Sequence, residues 1–226
     1  MGIRIYPVPL GFCQTYLIQD QGIILIDAGT PGREKAFSKA LNRLSIRPEA
    51  VELMVLTHGH WDHVGSAKAI QEITGARIAM HQEERSWLER SKKVVPPGAT
   101  LWGRIFGGIM KAFLPLVHIP PAPVEVVMGD APLSLTPYGI PGRVFHTPGH
   151  SPGSVSVLLD TGQAFVGDLA MNKFPLRLSP GLPIFAEDKA AVRKSWYLLL
   201  DQGADTIYPA HGKPFSADVM KRALTL

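Results

Sequence analysis

Cysteine is nearly absent from this sequence: Cys13 is the single one in 226 residues. One cysteine cannot form a disulfide within the chain, so the composition gives no sign of an oxidising compartment. No run of about 18 uncharged apolar residues occurs, which argues against a membrane-spanning helix. The opening MGIRIYPVPLGF lacks the apolar core of a signal peptide, and Tyr6 does not fit the myristoylation pattern. We therefore expect a soluble, cytoplasmic protein.

Excess charge is also small, with 23 basic and 19 acidic residues and a formal net charge of +4. The excess is concentrated between Leu88 and Pro120, where one acid, Glu89, stands against Arg90, Lys92, Lys93, Arg104 and Lys111. The rest of the chain is balanced and has no long basic stripe. A nucleic-acid partner is therefore not expected.

The chain length and a hydrophobic fraction of 46% suit one domain with a sizeable core. The first third alternates predicted strands and helices, for example the strand AVELMVLTH followed by the helix VGSAKAIQEITG, which is typical of layered α/β folds. After residue 120 short strands separated by turns predict an antiparallel sheet, followed by the helix EDKAAVRKSWYLLLDQG. We expect a single domain over residues 1–226 with an apolar, basic insert at about 88–120.

The stretch VLTHGHWDHVG carries the strongest chemical signal. His58, His60, Asp62 and His63 fall within six residues, directly after a predicted buried strand. Packing does not explain four such side chains so close together, because imidazole and carboxylate groups resist burial unless a cation binds them. Neutral imidazole and carboxylate are ligands for zinc and similar divalent ions. The motif therefore predicts a metal site.

Three further side chains of ligand type also follow predicted strands: His150 in TPGHSPGS, Asp168 in FVGD and His211 in YPAHG. A rigid sheet brings strand ends together, so these residues are candidates for the same site. Two metal ions roughly 3.5–4 Å apart can clamp the oxygens of a reacting group. A carboxylate can bridge such a pair because it has two oxygens.

The motifs THGHWDHVG, TPGHSPGS, FVGD and YPAHG, together with the earlier LIDAG, resemble the ordered signature motifs of the metallo-β-lactamase superfamily. The resemblance extends from Asp27 to His211. It implies an α/β fold, the four-layer αβ/βα sandwich of the metallo-β-lactamase type, with the site at one edge of the two sheets.

The resemblance also implies a ligand set of His58, His60 and His150 for one metal, Asp62, His63 and His211 for the other, and Asp168 as the bridge. Asp27 would orient ligands through hydrogen bonds. A metal-bridging hydroxide would attack an ester, thioester or lactone carbonyl, and Asp62 would handle its proton. The cofactor would be two divalent ions, with zinc favoured and iron or manganese as alternatives.

The residue type at position 168 helps to decide which branch of the superfamily the sequence resembles. The β-lactamase branches carry Cys or Ser there, whereas the glyoxalase II-like and lactonase-like branches carry Asp. Only 15 residues follow His211, so we expect no glutathione-binding helical region like that of glyoxalase II. GDLAMNKF lacks the Tyr that acyl-homoserine lactonases place after this Asp. Two other functions stay open: a mononuclear-iron persulfide dioxygenase-like oxidoreductase, and a metal-binding protein without catalysis.

The insert at about 88–120 contains the apolar run TLWGRIFGGIMKAFLPLV. Its composition suits a helix that covers the sheet, a lid that shapes an acyl pocket, a homodimer surface or a peripheral membrane contact. The lid predicts a small-molecule substrate bearing an acyl chain. Outside the motifs, we expect His81 to cap a helix or lie on the surface, and His146 to be packed or to support a ligand from behind. His118, in the insert, is expected to be a polar loop residue, with contact to a substrate as the alternative.

Overall fold

The computed structural model describes residues 2–172, 174, 176–177 and 179–225. Within them the chain forms two six-stranded sheets. The first sheet contains, in spatial order, β1 (Arg4–Leu10), β2 (Cys13–Gln19), β3 (Ile23–Ile26), β4 (Val51–Val55), β5 (Arg77–His81) and β6 (Val126–Met128). Its first three strands pair antiparallel, and the pairs from β3 to β6 are parallel.

The second sheet runs, in spatial order from its other edge, through β12 (Phe215–Ser216), β11 (Thr206–Tyr208), β10 (Gln163–Phe165), β9 (Val155–Leu159), β8 (Gly142–His146) and β7 (Leu133–Ser134). The predicted antiparallel pairing is confirmed from β7 to β10. It is wrong for Val126–Met128, which forms β6 and pairs parallel with β5 in the first sheet. In the second sheet β12 pairs antiparallel with β11, whereas β10 and β11 are parallel. The chain between these two strands includes a long helix, the crossover that parallel neighbours require.

The helices are α1 (Glu34–Leu44), α2 (Trp61–Val64), α3 (Ala67–Thr74), α4 (Gln82–Glu89), α5 (Leu101–Phe113), α6 (Lys189–Asp201) and α7 (Asp218–Leu224). Local sequence accounts for several of their ends. The Asp188 carboxylate accepts hydrogen bonds from the first backbone N–H groups of α6, and Gly75 ends α3 in the left-handed conformation.

Alternation along the strands produces the layers. On β2, Leu17 packs in a cluster with Phe37 and Leu41 of α1, whereas its neighbour Ile18 packs between the two sheets. On the second sheet, Leu158 packs in a cluster with Trp196 of α6. Successive side chains of a strand face opposite sides, so each sheet is buried on both faces. The order helix, sheet, sheet, helix confirms the predicted four-layer αβ/βα sandwich.

The insert forms α5, whose glycines allow close packing. A Cβ atom at Gly103 would lie 2.1 Å from the carbonyl oxygen of Ile184, so only glycine fits there. The backbone N–H of Ala99 also donates to that carbonyl oxygen (2.8 Å). The first turn of α5 and the residues just before it are therefore fixed to residues 184–185, and the rest of α5 extends from this anchor. Among the described residues no helix has the length and apolar character needed to cross a membrane.

Candidate metal centre

The predicted ligand residues follow the carboxyl ends of four strands. His58, His60, Asp62 and His63 come after β4, and α2 begins at Trp61. His150 follows β8, Asp168 follows β10 and His211 follows β11. The fold thereby brings side chains from both sheets to one edge of the sandwich, where they are almost entirely buried, apart from the half-buried Asp62.

The side chains form two adjoining groups. The ring nitrogens of His58, His60 and His150 lie within 4.8 Å of one another, and so do the ligand atoms of Asp62, His63 and His211. In the first group His150 Nε2 lies 3.0 Å from His60 Nδ1. In the second, His211 Nε2 lies 3.3 Å from Asp62 Oδ2. Each group offers three nitrogen or oxygen donors around a common centre.

Asp168 lies between the two groups. Its Oδ1 is 3.2 Å from His211 Nε2 and 3.4 Å from His63 Nε2, both in the second group. Its Oδ2 is 3.7 Å from His150 Nε2 in the first group. The two oxygens therefore face different groups, which is the arrangement that a bridging carboxylate requires.

The donor atoms suit a cation because several lack any other partner. Within the described part of the chain, His58 Nε2, His60 Nε2, His63 Nε2 and Asp168 Oδ1 are buried and make no hydrogen bond of good geometry. The contacts of Asp168 Oδ1 with His63 Nε2 and His211 Nε2 are close but do not have that geometry. A buried polar atom without a hydrogen bond costs about 1–3 kcal/mol of stability. Four such atoms in one place therefore indicate a site that binds a cation. The N/O donor set fits a divalent ion such as zinc.

Backbone carbonyl oxygens determine the tautomer of two of these histidines, because each contacts the ring nitrogen that faces away from the centre. His150 Nδ1 lies 3.0 Å from the Phe185 carbonyl oxygen, and His211 Nδ1 lies 3.1 Å from that of Phe12. A carbonyl can only accept, so each Nδ1 carries a hydrogen. The Nε2 lone pair of each neutral ring therefore points into the centre, as metal ligation requires.

Asp27 performs the same role for His63. Its Oδ2 lies 2.9 Å from His63 Nδ1, and its Oδ1 accepts from the Thr57 backbone N–H at 2.8 Å. Asp27 has a φ of 61°, which is uncommon for a residue other than glycine. The Thr57 hydrogen bonds and the His63 contact hold it there. A contact of this kind is how a carboxylate orients a metal-ligating histidine.

Electrostatics divide the two groups. Burial, followed by the neighbouring His150, lowers the pKa of His60 to about 3, and burial with the neighbouring histidines lowers the pKa of His58. Burial also lowers the pKa of His211, but the Asp168 and Asp62 carboxylates outweigh it and raise that pKa to about 10. His58 and His60 of the first group are thus neutral at neutral pH. In the second group the Asp62 and Asp168 carboxylates favour a positive charge, on His211 or on a bound cation.

Glu84 is a residue of this site that the sequence did not reveal. Its side chain is fully buried, and burial raises its pKa. Oε2 accepts from the Gly59 backbone N–H (2.5 Å), and Oε1 accepts from the Gly153 backbone N–H (2.7 Å). Gly59 lies between the candidate ligands His58 and His60, and Gly153 lies three residues after His150, so Glu84 joins the two loops that carry these histidines. Nothing in QEERSW distinguishes it from the exposed Glu83.

A cavity of about 850 Å³ opens above the centre. Its floor includes His60, Asp62, His150, Asp168 and His211. The α5 side chains that line it are Phe106, Ile109, Met110 and Phe113, and further apolar lining comes from Phe12, Met171, Phe174 and Phe185. The insert therefore lies directly over the predicted metal site.

A second histidine cluster lies outside the cavity lining. The rings of His81 and His146 stack with centroids 3.9 Å apart, and Asp130 Oδ1 lies 2.9 Å from His146 Nδ1. His81 caps α4, since its Nδ1 accepts from the Glu83 N–H at 3.4 Å, but it is buried, so the surface alternative is wrong. His146 is packed as predicted, and His118 is exposed.

Two mixed sheets between layers of helices, with clustered His and Asp side chains at their strand ends, define a metallo-hydrolase fold. The sequence profile of the metallo-beta-lactamase superfamily matches residues 8–211. The chain therefore belongs to that superfamily, and its His/Asp groups fit a divalent-metal-dependent hydrolase.

Curated relatives and solved structures agree with this assignment. The chain is 31% identical over 211 residues to the uncharacterized protein YobT of Bacillus subtilis strain 168, covering 88% of this chain and 82% of that protein. It is 29% identical over 167 residues to the probable metallo-hydrolase YqgX of the same organism, covering 72% and 69%. The structure of BLEG-1, a B3 metallo-beta-lactamase, superposes with a TM-score of 0.70 at 23% identity and 97% coverage of both chains.

Proposed function

We propose that this hydrolase attacks the carbonyl carbon of an ester, thioester or lactone that carries an apolar acyl chain, and breaks its acyl C–O or C–S bond. The observation that carries the proposal is the cavity, which combines an apolar wall with a floor of His and Asp side chains. An acyl chain is stabilised by burial against such a wall, by about 25 cal/mol per Å² of apolar surface removed from water. A small charged substrate would instead lose its hydration there.

The ligand assignment within the proposal follows the two groups. His58, His60 and His150 would hold one ion, Asp62, His63 and His211 a second, and Asp168 would contact both. Zinc suits these donors best, with iron or manganese as alternatives. Divalent ions bound there would lower the pKa of a coordinated water towards ~7 and polarise the substrate carbonyl.

Asp62 is the catalytic residue in this proposal. It lines the cavity, and its Oδ2 lies 3.3 Å from His211 Nε2. Burial raises its pKa, but His63 and His211 outweigh that effect and lower it, so the carboxylate is ionised at neutral pH. An ionised carboxylate at the cavity floor can accept the proton of the attacking water at Oδ2 and later deliver it to the leaving group.

The test combines elemental analysis of the purified protein with a panel of thioesters, lactones, acyl esters, phosphodiesters and β-lactams. We expect two divalent ions per chain and preferential hydrolysis of long acyl substrates. Deletion of Leu101–Leu116 should abolish that preference, and unchanged activity on long-chain esters would contradict the acyl pocket. An Asp168→Ala variant that kept both metals and full hydrolysis would contradict the bridging role.

Elemental analysis, the same panel and an oxygen-uptake assay on a glutathione persulfide have two outcomes that would replace the proposal. One iron per chain, with oxygen uptake on a glutathione persulfide, would indicate a dioxygenase that uses the His58, His60 and His150 group alone. Bound metal with no turnover of any substrate in the panel would indicate a binding protein.

A further inference from the structure

Exposed apolar side chains are concentrated on α5. Among the described residues, six of the large hydrophobic side chains that are exposed lie between residues 101 and 116. We define the α5 apolar face as the five of them on the helix, which are between 45 and 75% exposed: Leu101, Trp102, Ile105, Ile109 and Phe113. A contiguous apolar surface of this kind marks an interaction site on a protein, because leaving it in water is costly.

The α5 apolar face lies on the side of the helix away from its anchor. With 100° between successive residues, these side chains fall on one continuous stripe, whereas the buried Gly103 and Gly107 fall on the opposite edge. Gly103 packs against Ile184, and Gly107 approaches Phe185. The helix is therefore held by its glycine edge and leaves its apolar stripe uncovered by the described chain.

The charge around this face decides what covers it. The exposed Arg104 and Lys111 lie seven residues apart along one flank of the stripe. The segment from Leu88 to Pro120 contains five basic residues and one acid. Two copies of the chain meeting through this face would bring like charges together, whereas an anionic lipid surface complements them. Trp102, at the start of the helix, is of the type enriched at membrane interfaces.

We propose that α5 docks on an anionic lipid bilayer, with its apolar face buried in the interfacial region and Arg104 and Lys111 at the headgroups. Amphipathic helices with an apolar stripe beside basic residues bind membranes in this orientation. The docking does not depend on catalysis. A second consequence rests on the proposed function: Ile109 and Phe113 belong both to this face and to the cavity lining, so an acyl chain can enter from the bilayer along apolar surface.

Vesicle sedimentation with the metal-loaded 226-residue chain tests the docking. The probes are vesicles of phosphatidylcholine alone and of phosphatidylcholine mixed with phosphatidylglycerol. We expect partition into the anionic vesicles that weakens at high salt, and little binding to the neutral ones. Absence of binding to the anionic vesicles would overturn the proposal.

Matched variants locate the contact. Leu101→Gln with Ile105→Gln, neither of which lines the cavity, should lower vesicle binding by at least about tenfold. Leu198→Gln on α6, also exposed, is the control and should bind as the wild type does. Equal vesicle binding by the α5 double variant and the Leu198→Gln control would overturn the assignment of the contact to α5.

Arg104→Gln with Lys111→Gln should lower binding roughly 25-fold, about fivefold for each residue. Lys39→Gln with Arg43→Gln, an exposed basic pair on α1, is the control and should have a much smaller effect. Loss of vesicle binding from both pairs alike would show a diffuse charge effect and overturn docking through α5.

Two further measurements separate the alternatives. Analytical ultracentrifugation without lipid should show no self-association. A dimer that Ile105→Gln abolishes, together with no vesicle binding, would assign the α5 apolar face to a second copy of the chain and overturn the proposal.

Hydrolysis of a water-soluble short-chain ester without vesicles should be unchanged in all the α5 variants. Vesicle binding by a protein that hydrolyses nothing would leave the docking intact and refute the proposed function alone.

Discussion

The Glu84 side chain accepts a hydrogen bond from the Gly59 backbone N–H at 2.5 Å, so α4 holds the loop that carries four of the predicted metal ligands. The other carboxyl oxygen accepts from Gly153 beside the His150 loop. The contact needs glycine: a Cβ atom at Gly59 would lie 2.8 Å from the Trp87 ring and 3.1 Å from Glu84 Oε2. Two loops from different sheets are thereby fixed by one buried side chain.

Glu84→Ala should lower both stability and metal affinity. The substitution leaves two buried N–H groups without an acceptor, at about 1–3 kcal/mol each, and releases both ligand loops. Glu84→Gln keeps one acceptor oxygen and should fall between alanine and wild type. Chemical denaturation and competition with a chromophoric chelator measure the two effects. Glu83→Ala, on the exposed neighbour, is the control, and an equal effect from both alanine variants would contradict the role of Glu84.

Asp27→Asn should weaken metal binding about 10–100-fold, the usual effect of losing a carboxylate that orients a ligand histidine. The Asp27 carboxylate lies 2.9 Å from His63 Nδ1 and keeps the Nε2 lone pair directed at the centre. An amide can present its N–H to that nitrogen and stabilise the wrong tautomer. Chelator competition measures the affinity, with the exposed Asp160→Asn as the control. Unchanged affinity would show that Asp27 serves only the backbone at Thr57.

Local patterns in the sequence predicted a layered α/β fold, because predicted strands and helices alternate along the first third of the chain. They also marked the candidate ligands, which follow predicted strands within a few residues. The four-layer sandwich itself was implied by the resemblance to the superfamily. The parallel pairing of β10 and β11 could not be read locally, because pairing depends on where the α6 crossover returns the chain. Glu84 was missed for a similar reason: its partners Gly59 and Gly153 are 25 and 69 residues away and contribute only backbone N–H groups.

Removal of the metal should destabilise the protein. Ligand binding to the folded state adds RT ln(1 + [L]/Kd), about 4 kcal/mol when the free ion is at 1,000 times its Kd. That stabilisation includes the contacts of the ion with the buried nitrogens of His58, His60 and His63, which make no hydrogen bond of their own. We expect chelation to lower Tm and abolish hydrolysis, and zinc to restore both, as measured by calorimetry and activity on one sample. A Tm insensitive to chelator, with the metal demonstrably removed, would contradict a metal held by these side chains.

The His81, Asp130 and His146 cluster should not contribute to the metal count. His81 Nδ1 accepts from the Glu83 N–H, so the neutral ring carries its hydrogen on Nε2, the nitrogen that faces Asp130. That ring can donate to the carboxylate but presents no lone pair to an ion. Asp130→Asn should therefore leave the metal content by elemental analysis unchanged. His81→Ala should cost about 1 kcal/mol through the lost α4 cap. One fewer ion per chain in Asp130→Asn would make the cluster a metal site.

The last prediction concerns the length of the acyl chain. Each CH₂ group buried in the cavity contributes about 0.8 kcal/mol, so kcat/KM should rise roughly fourfold per methylene until the cavity is filled. Met110 lines the cavity and is half-buried on α5, so Met110→Trp fills part of the space and should move the optimum to shorter chains. Ile105→Trp, on the same helix but outside the lining, is the matched control and should keep the wild-type profile in vesicle-free assays. A series of acyl esters of increasing length measures the profile, and an optimum that Met110→Trp leaves in place would place the acyl chain outside this cavity.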